Sequence, residues 1–362
     1  MLRQLLIVVV LSVVGTRVAR LVYLLGFHKT IYKHYPGPCR VVPGLDTGSE
    51  DITVSGSGLA FISSGLRAKG GEPDGPQRQM GRIYLFDFNH PEKNVAELPL
   101  TGNIDRDTLR PHGISLYEDP ETGEVRLFVV NHISNQERIE IFRFDENSRS
   151  LNHLKTVTGE YIYSVNDIVA VGHNSFYYTN DKYFTSPAGK TIELFGLLTW
   201  GTVGFYDGTQ DRLVAEGYGI PNGLNISPDG RYIYVASSLQ EQIIVFERQE
   251  DGSLAETQRI DAWTIVDNIE VDKLTGDLWI GCHPAYNLLW KHAQNTTRPA
   301  GSQVLRLTFD SKGAAYGNTE FREVFMDDGS LISGSSVASY YDDKILIGTV
   351  FEKTAFCEIK AF

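Results

Sequence analysis

The feature that most limits what this chain can fold into is a unit of short strands recurring roughly every fifty residues. Unit starts fall near residues 58, 113, 167, 223, 268 and 336. The clearest copy runs through Gly223-Leu224-Asn225-Ile226-Ser227-Pro228-Asp229-Gly230, then residues 232–236 (YIYVA) and 242–246 (QIIVF). Each unit pairs alternating or continuous apolar runs with a turn rich in Gly, Asp, Asn or Pro, as strands joined by tight turns require. Three or four strands per unit at this spacing are the mark of a β-propeller, and six units predict six blades in an all-β domain over residues 29–362. A β-sandwich with additions does not explain why every unit opens with the same kind of strand.

In a propeller the innermost strands converge on the axis, so residues at their starts can meet despite large separations in sequence. Those starts carry Glu50-Asp51, His112, Asn166-Asp167, Asn222 and Asp267-Asn268. Any one of these is an ordinary turn or cap residue. Five at equivalent points suit another purpose: the carboxylates of Glu50 and Asp267 with the amide oxygens of Asn166, Asn222 and Asn268 form a hard oxygen cage for calcium. His112 stands at the mouth of unit two and His132 ends the following strand. Antiparallel pairing brings such rings together as a base and its orienting partner for activating water. His283 leaves the strand 278–281 beside Asp267 and is a candidate pocket residue. No Gly-x-Ser-x-Gly elbow is present, and Ser64-Gly65 and Ser335-Ser336 lack its context, so a serine hydrolase is unsupported.

Charge narrows the partners. A net charge of -12 disfavours nucleic acid, which needs a basic surface. The chain has three cysteines: Cys39, Cys282 and Cys357. The natural pairing is Cys39 with Cys357, a staple across the seam of the ring, leaving Cys282 free, although sequence alone does not prove a pairing. A disulfide implies an oxidising compartment. Residues 5–14 follow Arg3 as a short apolar core of signal-peptide length, too short to span a bilayer alone, and no clean small-x-small cleavage site precedes Arg17 and Arg20. Residues 1–28 are therefore expected to be a signal peptide or a retained signal anchor that can meet a membrane or lipid surface. Asn295-Thr296-Thr297 is a glycosylation acceptor. These features point to the secretory route, with the domain secreted or held on an extracellular or lumenal face.

At these motifs the chain resembles the serum paraoxonase/arylesterase family. The matching segments include Gly48-Ser49-Glu50-Asp51, Pro111-His112-Gly113-Ile114-Ser115, Val129-Val130-Asn131-His132 and Asn166-Asp167-Ile168-Val169. They continue through Asn222-Gly223, Val266-Asp267-Asn268-Ile269, Gly281-Cys282-His283-Pro284 and Gly348-Thr349-Val350-Phe351, in order from about residue 39 onward. The resemblance implies two calcium ions in a central tunnel. One would be held by Glu50, Asn166, Asn222, Asp267 and Asn268, the other by Asp51, Asp167 and the backbone carbonyl of Ile114. It implies that His112 and His132 are the catalytic dyad, and that Cys39–Cys357 is a disulfide. It also places His283, Arg67, Val350 and Phe351 on the substrate pocket. Arg67-Ala68 stands where the family's animal members carry a Lys-Tyr pair, and residues 192–206 resemble a lid and membrane-facing helix with different side chains.

The expected activity is calcium-dependent hydrolysis of small aryl esters and lactones, with organophosphate triesters as an accessory set. Two other readings share the fold. A strictosidine-synthase-like enzyme would not need the full oxygen cage, and a non-catalytic propeller stabilised by calcium would have no use for His112.

Overall fold

The computed structural model describes residues 2–45, 47–66, 80–133, 136–310 and 317–360. Six antiparallel sheets follow one another along the chain. Blade one is built from Ile52–Val54, Leu59–Ser64, Arg82–Asp87 and Ala96–Glu97, and blade two from Pro111–Glu118, Val125–Ile133, Gln136–Asp145 and Ser150–Val157. A fifth, short strand, Leu100–Thr101, adds to the outer edge of blade two in parallel. Blade three comprises Val165–Ala170, Phe176–Asn180, Gly201–Tyr206 and Asp211–Tyr218; blade four Pro221–Ile226, Tyr232–Ser237, Gln242–Arg248 and Leu254–Asp261. Blade five comprises Ile265–Val271, Leu278–His283, Ser302–Phe309 and Thr319–Asp327. Blade six takes Ser335–Tyr341, Lys344–Thr349 and Thr354–Glu358, and its outermost strand is Cys39–Val42 from the start of the domain.

The first strand of each blade packs against the first strands of both neighbours, so the six close into a ring. This is the six-bladed propeller expected from the repeat. One boundary shifts: the unit read as starting at 58 begins at Ile52, because its inner strand has only three residues and Leu59–Ser64 is the second strand.

The core is a set of wedges, one between each pair of blades. Tyr234, Val245, Ile269 and Leu307 fill the wedge between blades four and five, for example, and Trp279, Phe325 and Ile345 that between five and six. Middle strands therefore bury both faces and read as unbroken apolar runs, as in Leu278–His283 and Tyr232–Ser237. The turn between the first two strands of blade four shows how these runs are punctuated. The Ser227 Oγ donates to Asp229 at 2.6 Å, and Gly230 closes the turn at φ 73°, a left-handed conformation that glycine adopts without strain.

The ring is sealed by two devices in register. Cys39–Val42 pairs antiparallel with Thr354–Glu358, Cys39 opposite Cys357, and the two cysteines form the expected disulfide across 318 residues. Cys282 is free and buried.

Three helices gather at one end of the ring. Helix α1, Leu2–Leu24, is one continuous helix rather than a ten-residue apolar core, and its span Gln4–Leu24 is long and apolar enough to cross a membrane by length and composition. Its last turns dock on the propeller: Leu24 packs with Leu197 and Ile265, Arg17 donates to the Leu197 carbonyl at 2.9 Å, and Arg20 pairs with Glu241 at 3.0 Å. Helix α2 is Pro187–Phe195, and helix α3 is Tyr286–Gln294. The lid-like segment read over 192–206 is thus the end of α2 followed by the blade-three strand Gly201–Tyr206.

Candidate active site

The inner strands of blades two to five share a defect. Their pairing with the second strand slips between Pro111 and Ile114, Val165 and Ile168, Pro221 and Leu224, and Val266 and Ile269. A bulge of this kind frees residues from the ladder and re-aims their side chains. The residues inside the four slips are His112-Gly113, Asn166-Asp167, Asn222-Gly223 and Asp267-Asn268. Every candidate ligand of the cage therefore sits in a bulge, except Glu50, which precedes Ile52. The glycines follow from the crowding. A Cβ on Gly113 would lie 2.5 Å from the Asp167 Cα, and one on Gly223 2.4 Å from the Asn268 Cα.

The bulges face a cavity of about 310 Å³ at the helical end of the tunnel. Glu50, His112, Asn166, Asn222, Asp267 and His283 form its floor; Leu21, Leu24, Leu197, Ile265, Val350 and Phe351 contribute to its apolar walls. Among the described residues, three buried oxygens of this floor lack a hydrogen-bond partner, Glu50 Oε2, Asn166 Oδ1 and Asn222 Oδ1, and so does Oδ1 of Asn268, whose Nδ2 lies 3.3 Å from Glu50 Oε1. Leaving such an atom unsatisfied costs about 1–3 kcal/mol each. Four together, with the buried carboxylate of Asp267, are a donor set that fits a hard divalent cation. No three of His, Cys, Asp and Glu cluster as ligands among the described residues; the set mixes carboxylates with amides. The Asn268 side chain is fixed from behind, its Nδ2 donating to the Glu50 carbonyl at 3.0 Å.

Asp51 and Asp167 lie buried beside the floor and stitch blades together. Asp51 accepts from the amide of Ile52 at 2.9 Å and of Ile114 at 2.7 Å; Asp167 accepts from Ile168 at 2.7 Å and Leu224 at 2.8 Å. Ile114 thus meets Asp51 through its N–H. Burial, and then the nearby Glu50 charge, push the Asp51 carboxyl up to about 7. Burial and the Asp51 charge raise Asp167 well above the usual range. Buried carboxyls that hold each other up in this way resist ionisation while unpaired, a cost that a bound cation would relieve.

The histidines form a relay. His112 Nδ1 is 2.7 Å from His132 Nε2, and His132 Nδ1 is 2.5 Å from Glu137 Oε2. A carboxylate accepts only, so His132 carries its proton on Nδ1 and receives the His112 Nδ1–H on Nε2. That assignment leaves His112 Nε2 facing the floor 3.3 Å from Glu50 Oε1, where the protonated ring donates to the carboxylate and the neutral ring presents its lone pair to the cavity. Burial works against charge on His112, but Glu50 outweighs it and raises the pKa. Glu137 was not among the sequence candidates, although it is the direct cross-strand partner of His132 in the hairpin. His283 Nε2 lies 2.6 Å from Asp267 Oδ2. Asp181 and Lys182, also missed, reach the same cavity as an ion pair. Burial opposes the Asp181 charge, yet Lys182 holds that carboxyl below its usual range.

Arg67 lies outside the described residues. Asn295 is exposed just beyond α3, its Oδ1 accepting from the Thr297 amide at 3.1 Å and hydroxyl at 2.8 Å.

Fold and cavity together define a six-bladed propeller with an oxygen-rich, histidine-bearing site on its axis. Comparison with known proteins narrows the class. The Arylesterase family model matches residues 33–359, and the chain belongs to that family. Human serum paraoxonase/arylesterase 1 (Homo sapiens) is 42% identical over 323 residues, covering 89% of this chain and 88% of that protein. Serum paraoxonase/lactonase 3 of Oryctolagus cuniculus is 40% identical over 322 residues, covering 89% of each. Among solved structures, a luciferin-regenerating enzyme superposes with a TM-score of 0.54 over 88% of this chain and 94% of that one; at 11% identity the likeness is one of fold.

Proposed function

We propose that this protein hydrolyses aryl esters and lactones in the axial cavity, using calcium held by Glu50, Asn166, Asn222, Asp267 and Asn268. Membership of a family whose relatives are named arylesterases and lactonases supports the hydrolase reading. The observation that carries the calcium assignment is the set of four unpartnered buried oxygens, three on the cavity floor and one on Asn268 beside Glu50. When bound, calcium supplies Lewis-acid polarisation of a carbonyl and charge stabilisation for the oxyanion that develops there.

The chain's own groups do the rest. Glu137 holds the proton on His132 Nδ1, His132 holds the His112 ring, and His112 Nε2 takes the proton of the attacking water. The apolar walls from α1, Leu197, Ile265 and Phe351 receive the aryl or lactone carbon skeleton and exclude bulk water. His283, braced on Asp267, presents an Nδ1 with no partner among the described residues to bind a polar part of the substrate. Asp51 and Asp167 would hold a second, structural calcium, with Ile114 contributing its backbone carbonyl. Organophosphate triesters, with a tetrahedral centre of similar charge demand, form an accessory substrate set.

The disulfide and the acceptor at Asn295 support passage through the secretory route, and α1 supports a retained anchor on a lipid surface.

The test is hydrolysis of phenyl acetate and a δ-lactone by purified protein, before and after calcium is removed with a chelator. Activity that vanishes and returns with added calcium is expected. Absence of turnover on both substrates, with calcium still bound and raising the melting temperature, would replace this reading with a non-catalytic propeller.

A further inference from the structure

Beside α2, at the end of blade three, a second cavity of about 880 Å³ opens outside the axial site. Its walls carry four aromatic rings, Tyr161, Tyr163, Tyr183 and Trp200, together with the exposed carboxylates of Glu160 and Glu216. No Lys, Arg or His lines it, and neither glutamate takes part in an ion pair among the described residues. Tyr183 and Trp200 are held in the open, 60% and 47% exposed, at a cost that packing inward would avoid.

The backbone segments that carry the rings are fixed in place. Tyr183 and Trp200 meet edge to face with centroids 6.2 Å apart, and Phe184 braces Trp200 at 5.8 Å. The buried carboxylate of Glu193 accepts from the amides of Tyr183 at 3.0 Å and Phe184 at 3.1 Å. On the opposite side Asp211 accepts from the Tyr161 amide at 2.7 Å, and Asn180 donates to the Tyr161 carbonyl at 2.8 Å. The half-buried Tyr163 leans its hydroxyl toward Thr202 at 3.5 Å. A cavity pinned from both sides loses little freedom when a ligand enters.

Ring faces are electron-rich, and two uncompensated carboxylates add negative potential. Such a cage attracts cations, and it favours one that is weakly hydrated and carries apolar methyl groups to lie against the rings. We infer that this cavity binds a trimethylammonium-type organic cation. The ligand is either a free quaternary ammonium compound or the choline headgroup of a lipid, which share this chemistry. The inference is independent of the hydrolytic reading, since none of the six residues lines the axial site.

Calorimetric titration of the full chain with tetramethylammonium chloride, against ammonium chloride at equal ionic strength, tests it. Saturable binding of tetramethylammonium alone is expected. Trp200→Ala weakens it about tenfold, as loss of a desolvated cation–π contact predicts. Glu216→Gln weakens it less and reduces its salt dependence. Both variants carry surface changes, and unchanged melting curves confirm that they fold. No saturable binding, equal binding of ammonium, or undiminished binding by Trp200→Ala overturns the cage. A second arm adds phosphatidylcholine or phosphatidylglycerol vesicles to the loaded protein. Release of tetramethylammonium by the choline lipid alone supports a lipid headgroup; retention in both supports a free soluble cation.

Discussion

His112 is suited to act as a base because of what stands behind it. Its Nδ1 is occupied by His132, whose own Nδ1 is occupied by Glu137, so only Nε2 is left to receive a proton from the cavity. Replacing His112 with Gln keeps the size and a hydrogen bond but removes the base, and should lower kcat/KM on a δ-lactone by about 10²–10⁴. Near-full lactonase activity in that variant would sink the relay while leaving the calcium reading intact. The two histidines were legible in the sequence because each ends or begins a strand in one hairpin. Glu137 was not, because its place opposite His132 depends on the length of the intervening turn, and a one-residue slip would turn it to the other face. The oxygen ligands were legible as residue types in recurring positions. What the sequence does not display is that a bulge puts them there.

The bulge is the element on which the site depends, and its glycines can be tested. The atoms nearest a Cβ on Gly223 are Asn268 Cα at 2.4 Å and the Asp267 carbonyl oxygen at 2.8 Å, backbone atoms that cannot swing aside. Gly223→Ala should therefore cost about 1–3 kcal/mol, read as a lower urea midpoint, and should displace two cage residues at once. An unshifted midpoint would mean that the inner strands are not in contact as described. Elements differ in how plainly they announce themselves. The middle strands of the blades, buried on both faces, show as apolar runs; Ile52–Val54 is too short to register, which moved the apparent start of blade one. Helix α2 was blurred into a longer lid, though its start is marked by Ser186, whose hydroxyl accepts from the Gly189 amide, and by Pro187 in the first turn.

As a whole the molecule is a ring with one seam, and its stability belongs to the closure as much as to the wedges. Joining residues 318 positions apart restricts the unfolded chain strongly, on the order of 5 kcal/mol in the loop-entropy treatment. The double replacement Cys39→Ser, Cys357→Ser should lower the denaturation midpoint, and hydrogen exchange should rise first in Cys39–Val42 and Thr354–Glu358. Uniform loss of protection over all six blades would show instead that the seam is not the weak point. The repeat period made six blades and their closure legible; the docking of α1 over the tunnel mouth was not, because it depends on Arg17 and Arg20 finding carbonyls and a carboxylate about two hundred residues away. The seam also sets an order of events during synthesis. Cys39–Val42 leaves the ribosome first and must wait for a partner made about 15–60 s later at ordinary elongation rates. Until then its edge is unpaired and its thiol free. Cys282 emerges earlier than Cys357 but is covered once blades four and five pack together. Burial of Cys282 in that wedge, rather than the order of synthesis, leaves Cys357 as the mate for Cys39.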